Sequence, residues 1–259
     1  MRTNLARQKL LSGGIISGPS LYYPAPEIAE EAAQHGFDFV WIDWQHGAWT
    51  EGSINAALAS FVHVDSVPLV RTLGPDPAWI GRMLDLGALG VIVPMVETAQ
   101  QCEAIVRAAK FPPRGGRSAT GVRTAHHAGQ SPFDYTENAN NQILTVVMVE
   151  TQQGVADVRE MMSVPDIDCV LIGPYDLSRS LGVPMGDPRE EELVQQVLRA
   201  SKETGVAAGY VTNTPSEARQ RVTEGFRMVC PGHDISVLPQ AFREMKQCCE
   251  QLRGAESER

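Results

Sequence analysis

Two rhythms of apolar and polar positions take turns along this chain from near its start to near its end. Short continuous apolar runs, bounded by Gly, Pro or a carboxylate, predict strands buried on both faces. They fall at Gly13–Ser17, 38–42, Pro68–Arg71, Gly90–Pro94, 143–149, Asp168–Ile172, Val206–Val211 and Phe226–Cys230. Between them apolar residues recur at helical spacing. Ile54, Ala57, Leu58, Phe61 and Val62 mark one such face, and Cys102, Ile105, Val106 and Ala109 another. Helix starts are signed by Asp76-Pro77, by Thr98 with Gln101, by Asp187-Pro188 with Glu190, and by Thr214-Pro215 with Glu217. Gly36 and Gly87 close two helices. A last helix presents Leu238, Phe242, Met245 and Leu252, and the polar tail 254–259 is expected to fray.

Strands that each precede a helix imply parallel pairing through right-handed crossovers. Eight such units in 259 residues predict an α/β fold, a (β/α)8 TIM barrel forming a single domain over 1–259. A doubly wound open sheet is the alternative, but no G-x-G-x-x-G or Walker loop follows the first strand. The rhythm stops only in 111–142, which is rich in Gly, Arg, His, Asn and Pro and is expected to be an irregular active-site loop.

Composition narrows the partners. A formal net charge of −9 without a basic stripe argues against nucleic acid and anionic membrane. No apolar run approaches the roughly 20 residues of a membrane span. The start Met1-Arg2-Thr3-Asn4-Leu5 lacks a signal-peptide core, so a cytoplasmic location is expected. The five cysteines, Cys102, Cys169, Cys230, Cys248 and Cys249, form no C-x-x-C pair and read as reduced, mostly packed thiols.

In a barrel the chemistry sits at the C-terminal ends of the strands. The run 143–149 ends on Glu150, and Val170-Leu171-Ile172-Gly173-Pro174 leads to Asp176. Two strand-end carboxylates suggest a divalent cation, and oxygen ligands completed by water or substrate suit Mg²⁺ or Mn²⁺ better than zinc. Taken singly, Asp176 also reads as a helix cap and Glu150 as a solvated charge. His46, in Asp43-x-x-His46, can exchange a proton. Arg71 can neutralise a carboxylate or a developing enolate, and a cation can hold a 2-oxo acid as a Lewis acid. The set suits formation or consumption of an enolate. Around it, His233 either faces the site or caps the last helix, and Trp41 and Trp44 line either a pocket or the barrel interior. Arg117 and Arg123 are candidates for a distal carboxylate of an aldehyde partner, and the adjacent His126 and His127 read as a flexible or interface loop.

Asp43-x-x-His46, Pro68-Leu69-Val70-Arg71, Pro94-Met95-Val96, Phe111-Pro112-Pro113 with Arg117, Val149-Glu150-Thr151 and Gly173-Pro174-x-Asp176-Leu177-Ser178 resemble the HpcH/HpaI aldolase family over about residues 10 to 250. These are class II, metal-dependent pyruvate aldolases, such as those acting on 4-hydroxy-2-oxo-heptanedioate or 2-dehydro-3-deoxyglucarate. The resemblance implies a lyase that cleaves a 4-hydroxy-2-oxo acid to pyruvate and an aldehyde, reversibly. Glu150 and Asp176 would hold Mg²⁺ or Mn²⁺, with Co²⁺ a further candidate. Arg71 would bind pyruvate and its enolate, and His46 would be the base or acid, with its basicity raised by Asp85 in the assembled site. The backbone at Gly173, Pro174 and Tyr175 would receive the pyruvate carboxylate. A homohexamer built as a trimer of dimers, with the C-terminal helix exchanged, also follows from the resemblance. Met148 stands in the substrate site where the family commonly has glutamine, and Tyr175 where a small residue is usual. Two other readings keep the scaffold. One is oxaloacetate decarboxylation or a macrophomate synthase-like lyase; the other is a non-catalytic 2-oxo acid binding protein.

Overall fold

The computed structural model describes residues 2–119, 122–127 and 129–257, without the side chains of 122, 123, 127 and 254–257. Its strands are β1 (Ile16–Ser17), β2 (Ser20–Leu21), β3 (Phe39–Asp43), β4 (Val67–Arg71), β5 (Gly90–Val93), β6 (Leu144–Val149), β7 (Cys169–Ile172), β8 (Ala207–Val211) and β9 (Met228–Cys230). They form one all-parallel sheet in the order β1-β9-β8-β7-β6-β5-β4-β3-β2. The parallel pairing expected from the sequence is present, but the strands among the described residues number nine rather than eight.

The difference lies at the first strand, where β1 and β2 replace Gly13–Ser17. A Cβ on Gly18 would stand 1.8 Å from the Phe39 carbonyl oxygen, so the chain crosses β3 too closely for any other residue. Pro19 then has no N–H to give to a ladder. On one side of this break Ile16 pairs with Met228 of β9, and on the other Ser20 pairs with Trp41 of β3. The sheet is thereby curled, with the outermost members of its order in adjacent stretches of chain.

Strand residues alternate between two cores, as a side-chain period of two requires. Phe39, Trp41, Val67, Leu69, Leu144, Val146, Met148 and Leu171 pack together on the inner face. Val40, Ile42, Val70, Val91, Val147, Val149 and Val170 pack outward against helices. Each fully buried aliphatic chain of this kind contributes about 1.5–3 kcal/mol, and together they hold the strand ends in register.

The expected helix signals operate. Asp76 accepts the Ala78 N–H at 2.8 Å, Thr98 and Gln101 form a reciprocal capping box, and Thr214 accepts the Glu217 N–H at 3.2 Å. The structure departs from the sequence reading at three places. A helix at Leu5–Leu11, capped by Asn4, precedes the first strand and buries only Ala6 and Leu10, too few positions to show a period. The stretch 111–142 contains helices Val122–His127 and Pro132–Ala139. Buried Lys110 anchors its far end, donating to the carbonyls of Asn140 at 3.0 Å and Ile143 at 2.7 Å, while Asn140 exchanges two hydrogen bonds with the Phe111 backbone. The last helix, Asp234–Ser257, runs past Gly254 rather than fraying there; the last two residues lie outside the described ones. Its apolar residues Phe242, Met245 and Leu252 are exposed in the single chain. All five cysteines are free, three of them buried. No helix among the described residues is long and apolar enough to cross a membrane.

Candidate active site

Parallel register brings the last residues of β3 and β4, Asp43 and Arg71, side by side. Both are buried, and Arg71 grips Asp43 with two nitrogens: Nε donates to Oδ1 at 3.0 Å and Nη2 donates to Oδ2. Its Nη1 points to the Met148 sulfur at 3.7 Å, and its guanidinium carbon lies 5.0 Å from the centre of the Trp41 ring. Trp41 thus belongs to the inner face of the curled sheet. Asp43 also accepts the backbone N–H of His46 at 3.1 Å, which fixes the turn carrying that exposed imidazole.

Glu150 follows β6 and is 2% exposed. Its Oε2 accepts the Met95 N–H at 2.7 Å. Met95 is held at φ 55°, a left-handed conformation uncommon for a residue of this bulk. Burial pushes the Glu150 pKa up, and the neighbouring charges of Asp176 and Asp43 add to that, against the Met95 N–H and Arg71. The other oxygen, Oε1, rests over Gly173, where a Cβ would come within 2.8 Å of it. Asp176 is half-exposed in the first turn of helix Pro174–Leu181, whose N-cap is Gly173; Asp176 is therefore not the cap.

The carboxylate cradle at this turn is narrower than the sequence implied. The Gly173 N–H is spent on the Val149 carbonyl and Pro174 has none, so the backbone donors that remain are those of Tyr175 and Asp176. Tyr175 itself is 64% exposed.

Asp85 stands apart from this group within one chain. Helix Pro77–Leu86 leaves the strand-end face after β4 and Asp85 occupies its last turn, at the opposite end, where it accepts from Arg117 Nη2 at 2.5 Å. Arg117 is buried, stacks over Phe111 at 4.5 Å and pairs with Asp85. His233 is buried and its Nδ1 lies 2.6 Å from Ser20 Oγ; it ties β9 to β2, while Asp234 accepts the N–H groups of Tyr22 and Tyr23. The side chains of Arg123 and His127 lie outside the described residues.

Asp43 and Met95 carry the site's geometry, and neither was assigned a role from the sequence. Asp43 was visible as a strand-end acid, but its pairing depends on register; Met95 acts through its backbone.

A buried carboxylate with one oxygen over an open glycine, and a second carboxylate beside it, fits a divalent cation. No group of three or more His, Cys, Asp or Glu side chains gathers among the described residues, so a cation here would take two carboxylates and leave other positions to water or substrate. Gly173→Ala is expected to weaken Mn²⁺ affinity about 10–100-fold, as changes behind metal ligands do, because its methyl displaces Oε1. Titration calorimetry showing unchanged affinity would refute the cradle.

The model of the HpcH/HpaI aldolase/citrate lyase family matches residues 21–241. The chain belongs to that family. It is 34% identical to the hydroxypyruvate/pyruvate aldolase of Chromohalobacter salexigens over 83% of this chain and 86% of that one. It is 32% identical to the 2-keto-3-deoxy-L-rhamnonate aldolase of Klebsiella pneumoniae over 93% and 91%. A crystal structure of an HpcH/HpaI family protein from Burkholderia cenocepacia superposes with a TM-score of 0.90 at 31% identity, covering 96% of this chain and all of that one. With aldolases at this identity over most of both chains, this family member is an aldolase-type lyase.

Proposed function

We propose that this aldolase cleaves a 4-hydroxy-2-oxo acid to pyruvate and an aldehyde, and runs the reverse addition. The observation that supports the reading is that His46, Arg71, Glu150 and Asp176 follow or end β3, β4, β6 and β7 of one parallel sheet, with the charges of Arg71 and Asp176 acting on buried Glu150. Glu150 and Asp176 would hold Mg²⁺ or Mn²⁺, which when bound supplies Lewis-acid polarisation of the keto oxygen. The first-turn N–H groups of Tyr175 and Asp176 orient the substrate carboxylate at a helix N-terminus. Arg71, fixed by Asp43, faces the oxygen on which negative charge develops, so its orientation need not change during reaction. His46 takes the 4-hydroxyl proton, directly or through water, as the C3–C4 bond breaks.

Closure of the sheet into a (β/α)8 barrel is supported by the bonds of the 16–21 segment to both β9 and β3. Exchange of helix Asp234–Ser257 between subunits of a hexamer is supported by the exposed Phe242, Met245 and Leu252. The same assembly would bring an Asp85 to the His46 of another subunit.

The test is exchange of pyruvate methyl protons with D₂O, followed by NMR. Exchange with Mg²⁺ or Mn²⁺, lost with chelator and reduced about 10²–10⁴-fold in His46→Ala, is expected for a general base. A protein that binds pyruvate and cation without exchange would refute the reading.

A further inference from the structure

Three large apolar side chains stand exposed just beyond the strand ends. They are Leu73 after β4, Met95 after β5 and Tyr175 after β7, at 39%, 45% and 64% exposure. The sheet order places these strands around Glu150, which follows β6, with Trp44, which follows β3, continuing the arc, edge-on to Trp79 at 6.4 Å. Neighbouring strands lie about 4.8 Å apart, so these groups form one rim beside the carboxylates rather than scattered surface positions. Met95 keeps its side chain there in a left-handed conformation that glycine would adopt without strain.

Charge points the same way. In the four residues that follow each strand there are Glu97, Glu150, Asp176 and Asp234 but no lysine or arginine. The one strand-end arginine, Arg71, is occupied on two nitrogens by Asp43. Among the described strand-end segments a second carboxylate on the acceptor would meet acids and apolar surface, with no lysine or arginine to neutralise it.

We infer that the acceptor side of this site takes neutral, apolar aldehydes, aliphatic or aromatic, in preference to anionic ones; the inference rests on the aldolase reading above. In the addition, the pyruvate methyl carbon loses a proton and bonds to the aldehyde carbonyl carbon. The carbonyl π electrons move to its oxygen, which is protonated, and nothing is oxidised or reduced.

The experiment is a competition on the cation-loaded enzyme between pentanal and 4-oxobutanoate, of similar length, with pyruvate as donor. A kcat/KM ratio of about tenfold or more for pentanal is expected, the scale that one hydrophobic contact supplies. Leu73→Arg is expected to move the ratio about tenfold toward 4-oxobutanoate, read as a ratio so that overall activity does not enter. A wild-type ratio near one, or reversed, while pyruvate methyl exchange persists would overturn this inference alone. An unchanged ratio in Leu73→Arg would remove Leu73 from the acceptor path. Absence of methyl exchange in the wild type would overturn the aldolase reading, and this inference with it.

Discussion

Glu150→Gln is expected to abolish cation-dependent proton exchange from pyruvate while raising the Tm of the cation-free protein. The two effects have one cause. The Glu150 carboxyl is buried, and its pKa is raised first by that burial and then by the charges of Asp176 and Asp43. A carboxyl with a raised folded pKa favours folding when protonated, so its stability contribution is complete below the unfolded pKa and is lost as pH rises through the folded one. At neutral pH without cation, the ionised group therefore works against the fold. Glutamine keeps an oxygen for the Met95 N–H and removes the charge. A gain on the order of 1 kcal/mol corresponds to about 2–4 °C in a protein of this size. The Tm difference should shrink toward pH 4 and grow toward neutrality. Mg²⁺ should stabilise the wild type and leave the glutamine variant unmoved, because only the ionised form binds it well. Exchange should fall by about 10²–10³-fold, the scale of losing a preorganised electrostatic contact. Thermal unfolding across pH, with EDTA and with Mg²⁺, reads the first effect and NMR exchange the second. Equal Tm values for the two proteins without cation would show that Glu150 is not a strained ligand.

The same residue shows what the sequence could and could not display. A carboxylate that ends an apolar run is visible in one dimension, because the parallel strands, buried on both faces, carry no charged residue before their ends. Glu150 and Arg71 were legible for that reason, and Asp176 through the Gly-Pro helix start before it. The contact between Asp43 and Arg71 was not, since it is set by register across strands 28 residues apart. Met95 was invisible as a participant because its backbone N–H, not its side chain, meets Glu150. Asp85 needed the direction of its helix: Pro77–Leu86 runs away from the strand-end face, which puts its last turn far from the His46 of the same chain. The break between β1 and β2 turns on Gly18, whose missing Cβ matters only once Phe39 of β3 lies beside it. The helices within 111–142 have short apolar faces and polar flanks: Pro132–Ala139 buries only Tyr135 and Ala139, and the end of the stretch is fastened by the buried Lys110 and Asn140.

Asp43→Ala is expected to destabilise the fold and suppress catalysis together, and a second change separates the two. The Arg71 and Asp43 side chains are 5% and 0% exposed, so removing the acid leaves a buried guanidinium without its direct ion-pair partner. Breaking such a pair by deleting one partner costs about 3–5 kcal/mol, most of it the penalty of the stranded charge. Adding Arg71→Met should therefore recover much of the lost stability, because the double variant buries neither charge and methionine fills the space beside Met148 and Trp41. It should recover none of the exchange activity, since the cation that faces the developing enolate is gone. Arg71→Lys gives the complementary result: the charge remains, but lysine cannot span both Asp43 oxygens, and the loss falls on positioning. Exchange reduced about 10²-fold with a smaller loss of Tm than in Asp43→Ala is expected there. Chemical denaturation of the four proteins, with exchange rates measured on each, decides the matter. If the double variant is no more stable than Asp43→Ala, the ion pair is not what the buried arginine depends on. If Arg71→Lys exchanges protons at the wild-type rate, only charge is needed at that position, and the fork to Asp43 serves the fold alone.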